Sequence, residues 1–246
     1  MMQNYRMTIQ YDGTRYQGWQ RQTSTGNTIQ GKLEEILSKM CDKKVEIDGA
    51  GRTDAGVHSR GQTASFMIDT DKTPEEIRDY INRYLPEDIA VTRLTVAGNR
   101  FHARLNATGK HYRYRIRTSP LQDVFERRYV YHLGQTLDVD AMRKGAELLS
   151  GTHDFKAFTS NHRIKKSTVR SIRIEIKETP EELILEYTGD GFLYHMVRIL
   201  TGTLVEIGQG ERKPEEIPDI ISSKERSRAG MLVPAQGLCL EEVWYE

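Results

Sequence analysis

Residues 49–58, Gly49-Ala50-Gly51-Arg52-Thr53-Asp54-Ala55-Gly56-Val57-His58, put a carboxylate, a guanidinium and an imidazole into one loop with three glycines. Glycine lets a backbone come close to a ligand or to another chain segment, and loops on a rigid scaffold are where reactive groups tend to sit. A lone carboxylate in such a setting can act as a nucleophile or as a general base. The same residues also suit an ordinary turn in which Thr53 and Asp54 bond local backbone, and composition leaves both readings open. Asp54 and His58 are too few ligands for a metal. The loop has neither the Walker spacing ending in Lys-Ser/Thr nor the G-x-G-x-x-G order, which sets nucleotide hydrolysis aside.

Three other segments mix residue types that could meet a nucleic acid. In Lys110-His111-Tyr112-Arg113-Tyr114-Arg115-Ile116-Arg117 the alternation is strict, so a strand there sends Tyr112, Tyr114 and Ile116 to one side and the arginines to the other. Aromatics on such a strand either fill a core or lie under unstacked bases. The arm over residues 11–22 carries Arg15, Tyr16, Trp19 and Arg21. It reads as a single-strand binding surface or as an apolar plug with solvated charges. Near Tyr194, His195 and Arg198 fall three apart on one helix face. An arginine among Met196, Val197 and Ile199 calls for a carboxylate partner if it is buried.

Around these segments the chain shows the patterning of an α+β fold. Alternation at Tyr5, Met7, Ile9 and Tyr11 predicts a strand. Ile29, Leu33, Ile36, Leu37 and Met40 predict a helix, with Asn27 and Gln30 placed as its capping box. Strands are expected at 45–48, 63–67, 89–96 and 106–117. A helix starts at Thr73-Pro74-Glu75-Glu76, where cap, N1 proline and N3 acid coincide. Beyond Ser119-Pro120 come a helix over 139–149 capped by Asp138, strands at 169–176 and 183–188, a helix over 194–207, a shorter one near Pro214, and a last strand at 238–245. The two halves, 1–118 and 119–246, repeat a similar order of elements. Hairpins mixed with helices predict two ferredoxin-like halves sharing a largely antiparallel central sheet, with helices packed on it.

Composition narrows the class. At 246 residues, 37% hydrophobic and 29% charged, the chain reads as a globular protein able to bury a sizeable core. No apolar run approaches a membrane span and no signal-peptide pattern opens the sequence, so a cytoplasmic protein without membrane association is expected. Cys41 and Cys239 have no metal-ligand spacing and read as buried reduced thiols. A net charge of +1 argues against a generic nucleic-acid binder, yet totals hide distribution. Residues 99–122 and 155–174 hold no acid and many cations, while acids collect at 178–186 and 211–219. That segregation predicts a basic face with an acidic back, on which Arg113 and Lys165 are expected to meet phosphate.

Taken together, Gly51-Arg52-Thr53-Asp54-Ala55-Gly56-Val57-His58 resembles the catalytic loop of the TruA-type tRNA pseudouridine synthases. Matches along the rest of the chain support this: Tyr11-Asp12-Gly13, Gly18-Trp19-Gln20-Arg21-Gln22, Leu85-Pro86-Glu87-Asp88-Ile89, Phe101-His102-Ala103-Arg104, Tyr112-Arg113-Tyr114, His195-Met196-Val197-Arg198 and Gln236-Gly237-Leu238. The resemblance implies isomerisation of uridine at positions 38, 39 and 40 of the tRNA anticodon stem-loop, by a homodimer that needs no metal or organic cofactor. It implies Asp54 as the essential aspartate, Tyr112 as the aromatic contacting the target base, Arg198 as the partner of Asp54, and Arg52 as a residue that helps hold the flipped nucleotide. Two rivals remain at this stage. A noncatalytic RNA-binding module leaves the Asp54 loop without a purpose, and a glycosidic hydrolase usually needs a second carboxylate.

Overall fold

The computed structural model describes residues 2–161, 163–164 and 167–246. Lys165 and Lys166, from the second basic stretch, lie outside the described residues. The chain divides into two compact units, residues 1–108 with 239–246, and residues 109–238. This division differs from the expected boundary after residue 118, for a reason visible in strand pairing. Strand β5 (Ala107–Arg117) is hydrogen-bonded from Lys110 to Arg117 along β9 (Glu182–Gly189), so it belongs with the later residues. The last strand, β10 (Leu238–Tyr245), returns to pair in parallel with β3 (His58–Ile68).

In the first unit the strand order is β4-β1-β3-β10, where β1 is Gln3–Tyr11 and β4 is Ile89–Ala97. β1 runs antiparallel to both its neighbours, β3 and β4. Its alternation holds: Tyr5, Met7, Ile9 and Tyr11 are buried and pack with Leu33 and Leu37 of α1 (Ile29–Cys41) and Ile77 and Ile81 of α2 (Pro74–Tyr84). Burial of each such aliphatic side chain contributes roughly 1.5–3 kcal/mol. The α2 start is as expected, with the Thr73 N–H donating to Glu76 at 2.7 Å and the Glu76 N–H to Thr73 Oγ1 at 3.2 Å.

Two local expectations are corrected. The cap of α1 is Thr28, which accepts from the Gly31 N–H at 3.2 Å, and Asn27 instead donates to the carbonyl of Arg15. The strand expected at 45–48 shrinks to β2 (Asp48–Gly49), paired with β3. Val45 and Ile47 are buried, but their N–H groups donate to Ser38 Oγ and Glu34 Oε1 of α1. Helix side chains have taken the place of a ladder partner, which sequence alternation cannot reveal.

In the second unit the order is β5-β9-β8-β7, with β8 at Val169–Glu178 and β7 at Gly151–Asp154. All three pairings are antiparallel, and the two-residue β6 (Tyr131–His132) adds in parallel beside β5. Helix α3 (Val139–Leu149) is capped by Asp138 as expected, α4 is Met196–Gly208, and the short helix near Pro214 is α5 (Ile217–Ser223). The class is therefore α+β with largely antiparallel sheet. Among the described residues no helix is long and apolar enough to cross a membrane. Cys41 and Cys239 are free and half-buried, and burial pushes the Cys239 thiol up to about 12.

Candidate active site

The loop around Asp54 is held by hydrogen bonds to its side chains and backbone, and His58 Nδ1 also lies 3.2 Å from the Asp12 carboxylate. Tyr11 OH and Thr53 Oγ1 lie 2.8 Å apart and buried, the Trp19 N–H donates to the Thr53 carbonyl at 3.0 Å, Gln62 Nε2 donates to the Gly51 carbonyl at 2.9 Å, and the Gly13 N–H donates to His58 Nδ1 at 3.0 Å. Burial holds the Tyr11 phenol far above its usual range, so it stays a neutral hydrogen-bond partner. Asp54 stands half-buried between these anchors, its carbonyl accepting from the Val57 N–H at 3.2 Å to close the turn. Thr53 is bonded to a strand residue rather than to local backbone, which removes the ordinary-turn reading for that side chain.

Close backbone approach explains two of the glycines. Gly18 has φ +88°, and a Cβ on it would come within 2.7 Å of the Thr53 carbonyl oxygen. Gly49 lies over the Trp19 indole, where a Cβ would fall 2.4 Å from Nε1. The aromatic arm is thus the plug and not the base-stacking surface: Tyr16 and Trp19 are buried, and Tyr16 OH donates to Asp88 at 2.5 Å. Sequence reasoning missed Thr53, Gln62 and Gly18 as supports of the loop. The Gly-Trp pair was a signal, but its target lies more than thirty residues away.

Of the four predicted site residues, Asp54 and Arg52 share this loop in the first unit. Arg52 is exposed, with its Nε donating to Gln20 Oε1 at 2.9 Å. Tyr112 and Arg198 belong to the second unit. Tyr112 is 7% exposed and meets Phe192 edge-on, with ring centroids 5.1 Å apart. Arg198 is half-buried on α4 and donates from Nε to the Val233 carbonyl at 2.8 Å. Tyr114 and Ile116 are fully buried, the core outcome of the strand's alternation, and Tyr114 OH donates to the Pro234 carbonyl at 2.7 Å. His195 begins α4 in the left-handed region, φ 65°, with Nδ1 2.9 Å from Ser160 Oγ.

The expected basic face along β5 is corrected. Register places Arg113 opposite Glu186 and Arg117 opposite Glu182. Arg113 meets Glu186 at 3.1 Å, Arg115 meets Glu182 at 3.0 Å and Glu126 at 2.6 Å, and Arg117 meets Glu181 at 2.8 Å. The acid-rich stretch thus lies beside the arginine-rich one as its neighbouring strand. Arg100 and Arg104 are exposed and make no ion pair among the described residues, so they keep their charge available. Also among the described residues, no group of three or more His, Cys, Asp or Glu stands together as a metal site.

The family model described as tRNA pseudouridine synthase matches residues 7–106 and 146–246, the loop and α4 included. The chain belongs to the tRNA pseudouridine synthase family. Its relatives in that family include tRNA pseudouridine synthase A of Bacillus sp. (strain KSM-64), 46% identical over 243 residues, which span 98% of this chain and 99% of that one. Two Clostridium tetani relatives, tRNA pseudouridine synthase A 1 and A 2, are 44% and 42% identical, covering 99% and 100% of this chain and 100% of each relative. Members of this family convert uridine to pseudouridine. A pinned loop presenting one carboxylate fits such an isomerisation, which unlike glycoside hydrolysis requires no second carboxylate.

Proposed function

We propose that this chain isomerises uridine to pseudouridine at positions 38, 39 and 40 of the tRNA anticodon stem-loop, with Asp54 as its essential carboxylate. The observation that carries the reading is the loop of residues 49–58, pinned by hydrogen bonds from Tyr11, Gly13, Trp19 and Gln62 to Thr53, His58 and Gly51 so that Asp54 is presented on a fixed backbone. In the reaction the N1–C1′ bond breaks, the base turns while held, and C5 bonds to C1′; the proton lost from C5 is balanced by one gained at N1. Asp54 serves as nucleophile or as the base that takes a sugar proton. The resemblance to TruA-type enzymes assigns Arg198 as the cation that partners Asp54. Tyr112 stacks on the detached base and keeps it from escaping. Its edge contact with Phe192 and near-complete burial supply a firm wall for that purpose.

A paired uridine is out of reach of any side chain, so it is flipped out at a cost of roughly a few kcal/mol that phosphate contacts must offset. Arg52, exposed and steadied by Gln20, holds the flipped nucleotide. The enzyme works in the cytoplasm as a homodimer, without metal or organic cofactor, as its resemblance to TruA-type enzymes implies; sedimentation of the purified chain checks the dimer. The deciding experiment is Asp54→Asn, assayed for pseudouridine in unmodified tRNA. We expect product to disappear while tRNA affinity stays near that of the parent. Near-parental turnover would remove Asp54 from the chemistry, and release of free uracil by the parent would favour a hydrolase.

A further inference from the structure

The first unit contains a groove of about 760 Å³ away from the Asp54 loop, within the usual size of small-molecule and nucleotide sites. One wall is the face of α1 that carries Lys32 and Lys39, the other is the end of α2 with Tyr80 and Tyr84, and the floor is Arg15 and Tyr16 of the arm. Spacing explains the walls. Residues 32 and 39 are seven apart and 80 and 84 four apart, so each pair shares one helix face.

The groups in this groove are poised for an outside partner. Tyr84 is 58% exposed, although an aromatic ring gains by burial. It is steadied by Tyr80, whose ring centroid lies 4.8 Å away and which packs on the unit's core. Neither phenol has a hydrogen-bond partner among the described residues. Lys32 is half-buried and makes no ion pair among the described residues. Lys39 meets only the exposed Glu35, at 2.8 Å, a surface pair of little worth that gives way easily. Arg15 is held to Asp88 at 2.6 Å with its side chain still 63% exposed. Three cations around two phenol rings tilted 54° to each other, against two carboxylates that are both engaged, match a flat aromatic base with a phosphate beside it.

We propose that this groove is a second RNA site, taking an unpaired nucleotide of the substrate other than the one at Asp54, with its base on Tyr84 and its phosphate at Lys32 and Lys39. The proposal rests on the reading of tRNA as substrate. It also gives the arm a purpose: Arg15 and Tyr16 line the groove, while Gly18 and Trp19, a few residues on, brace the Asp54 loop. RNA in the groove and uridine at Asp54 therefore press on the two ends of one short segment.

The test uses the full chain and unmodified tRNA. For Tyr84→Ala we expect KM and Kd to rise about tenfold, the scale of one base–aromatic stack, with kcat within about twofold of the parent. Tyr84→Phe keeps the ring and should bind like the parent; a loss equal to that of the alanine variant overturns stacking. Lys32→Glu should weaken binding and make the salt dependence shallower by about one ion. Irradiated 5-bromouridine tRNA should cross-link to the peptide that begins at Tyr84. Parental affinity and salt slope in both Tyr84→Ala and Lys32→Glu overturn the proposal, as does cross-linking confined to other peptides. These outcomes are read from binding, so they remain separate from failure of the catalytic reading, which appears as absence of pseudouridine from the parent itself.

Discussion

The Asp54 loop and the β5–β9 strand pair are built from similar residue types and use charge in opposite ways. Around Asp54, hydroxyls, amides and glycine contacts fix the backbone. Along β5 and β9 the charges are themselves the fastening: Glu186, only 6% exposed, receives His111 at 2.7 Å, Arg113 at 3.1 Å and Lys177 at 3.5 Å. A basic stretch of sequence is therefore not a basic surface when its sheet neighbour is acidic. The lesson is one of valence: a charge consumed by a buried carboxylate has little left for phosphate, because breaking the pair strands the other partner.

The contrast can be broken most forcefully at Gly18. Gly18→Ala forces a Cβ against the Thr53 carbonyl at positive φ, which should cost about 3 kcal/mol of stability and most of the turnover. Just past the arm, Gly26→Ala meets nothing within 4 Å and should change neither; equal behaviour of the two, in melting and in pseudouridine yield, would show that the arm does not brace the loop.

A smaller effect is expected on the charged side. Glu186→Ala leaves His111 and Arg113 without their shared carboxylate and should cost about 2 kcal/mol, read from the urea midpoint. Burial alone would raise the Glu186 carboxyl, but the bond from His111 and the charge and bond of Arg113 outweigh it and hold it below the ordinary range. A depressed value in the folded state means this stabilisation is present above the unfolded value of about 4.3 and is lost as pH falls through the folded one. Glu186→Gln should therefore flatten the fall in stability between neutral and acid pH, and an unaltered acid profile would count against the pairing.

The smallest effect separates two arginines. Arg104→Glu, at an exposed cation without an ion pair among the described residues, should weaken tRNA binding and reduce its salt slope by about one, with melting unchanged. Arg113→Glu should instead lower stability while its salt slope stays near parental. A reversal of that pattern would return β5 to the RNA surface.

Local signals were legible where a short-range rule governs the outcome. The capping box at Thr73, the Asp138 cap and the alternation of β1 all follow from neighbours a few residues away. The loop of residues 49–58 was legible as a candidate site through its glycines and its resemblance to a known family. What failed did so where distant groups compete. The strand at 45–48 lost its ladder to Ser38 and Glu34, and the choice left open for Tyr16 and Trp19 fell to the plug because Asp88 and Gly49 wait for them inside.

The sequence by itself determined most of the elements and the family, since periodicity, caps and motifs are properties of nearby residues. Only the tertiary structure decided which charges remain available. Pairing in a sheet is set by register between strands some seventy residues apart, and whether Arg113 faces solvent or Glu186 is a matter of that register, which no local pattern encodes.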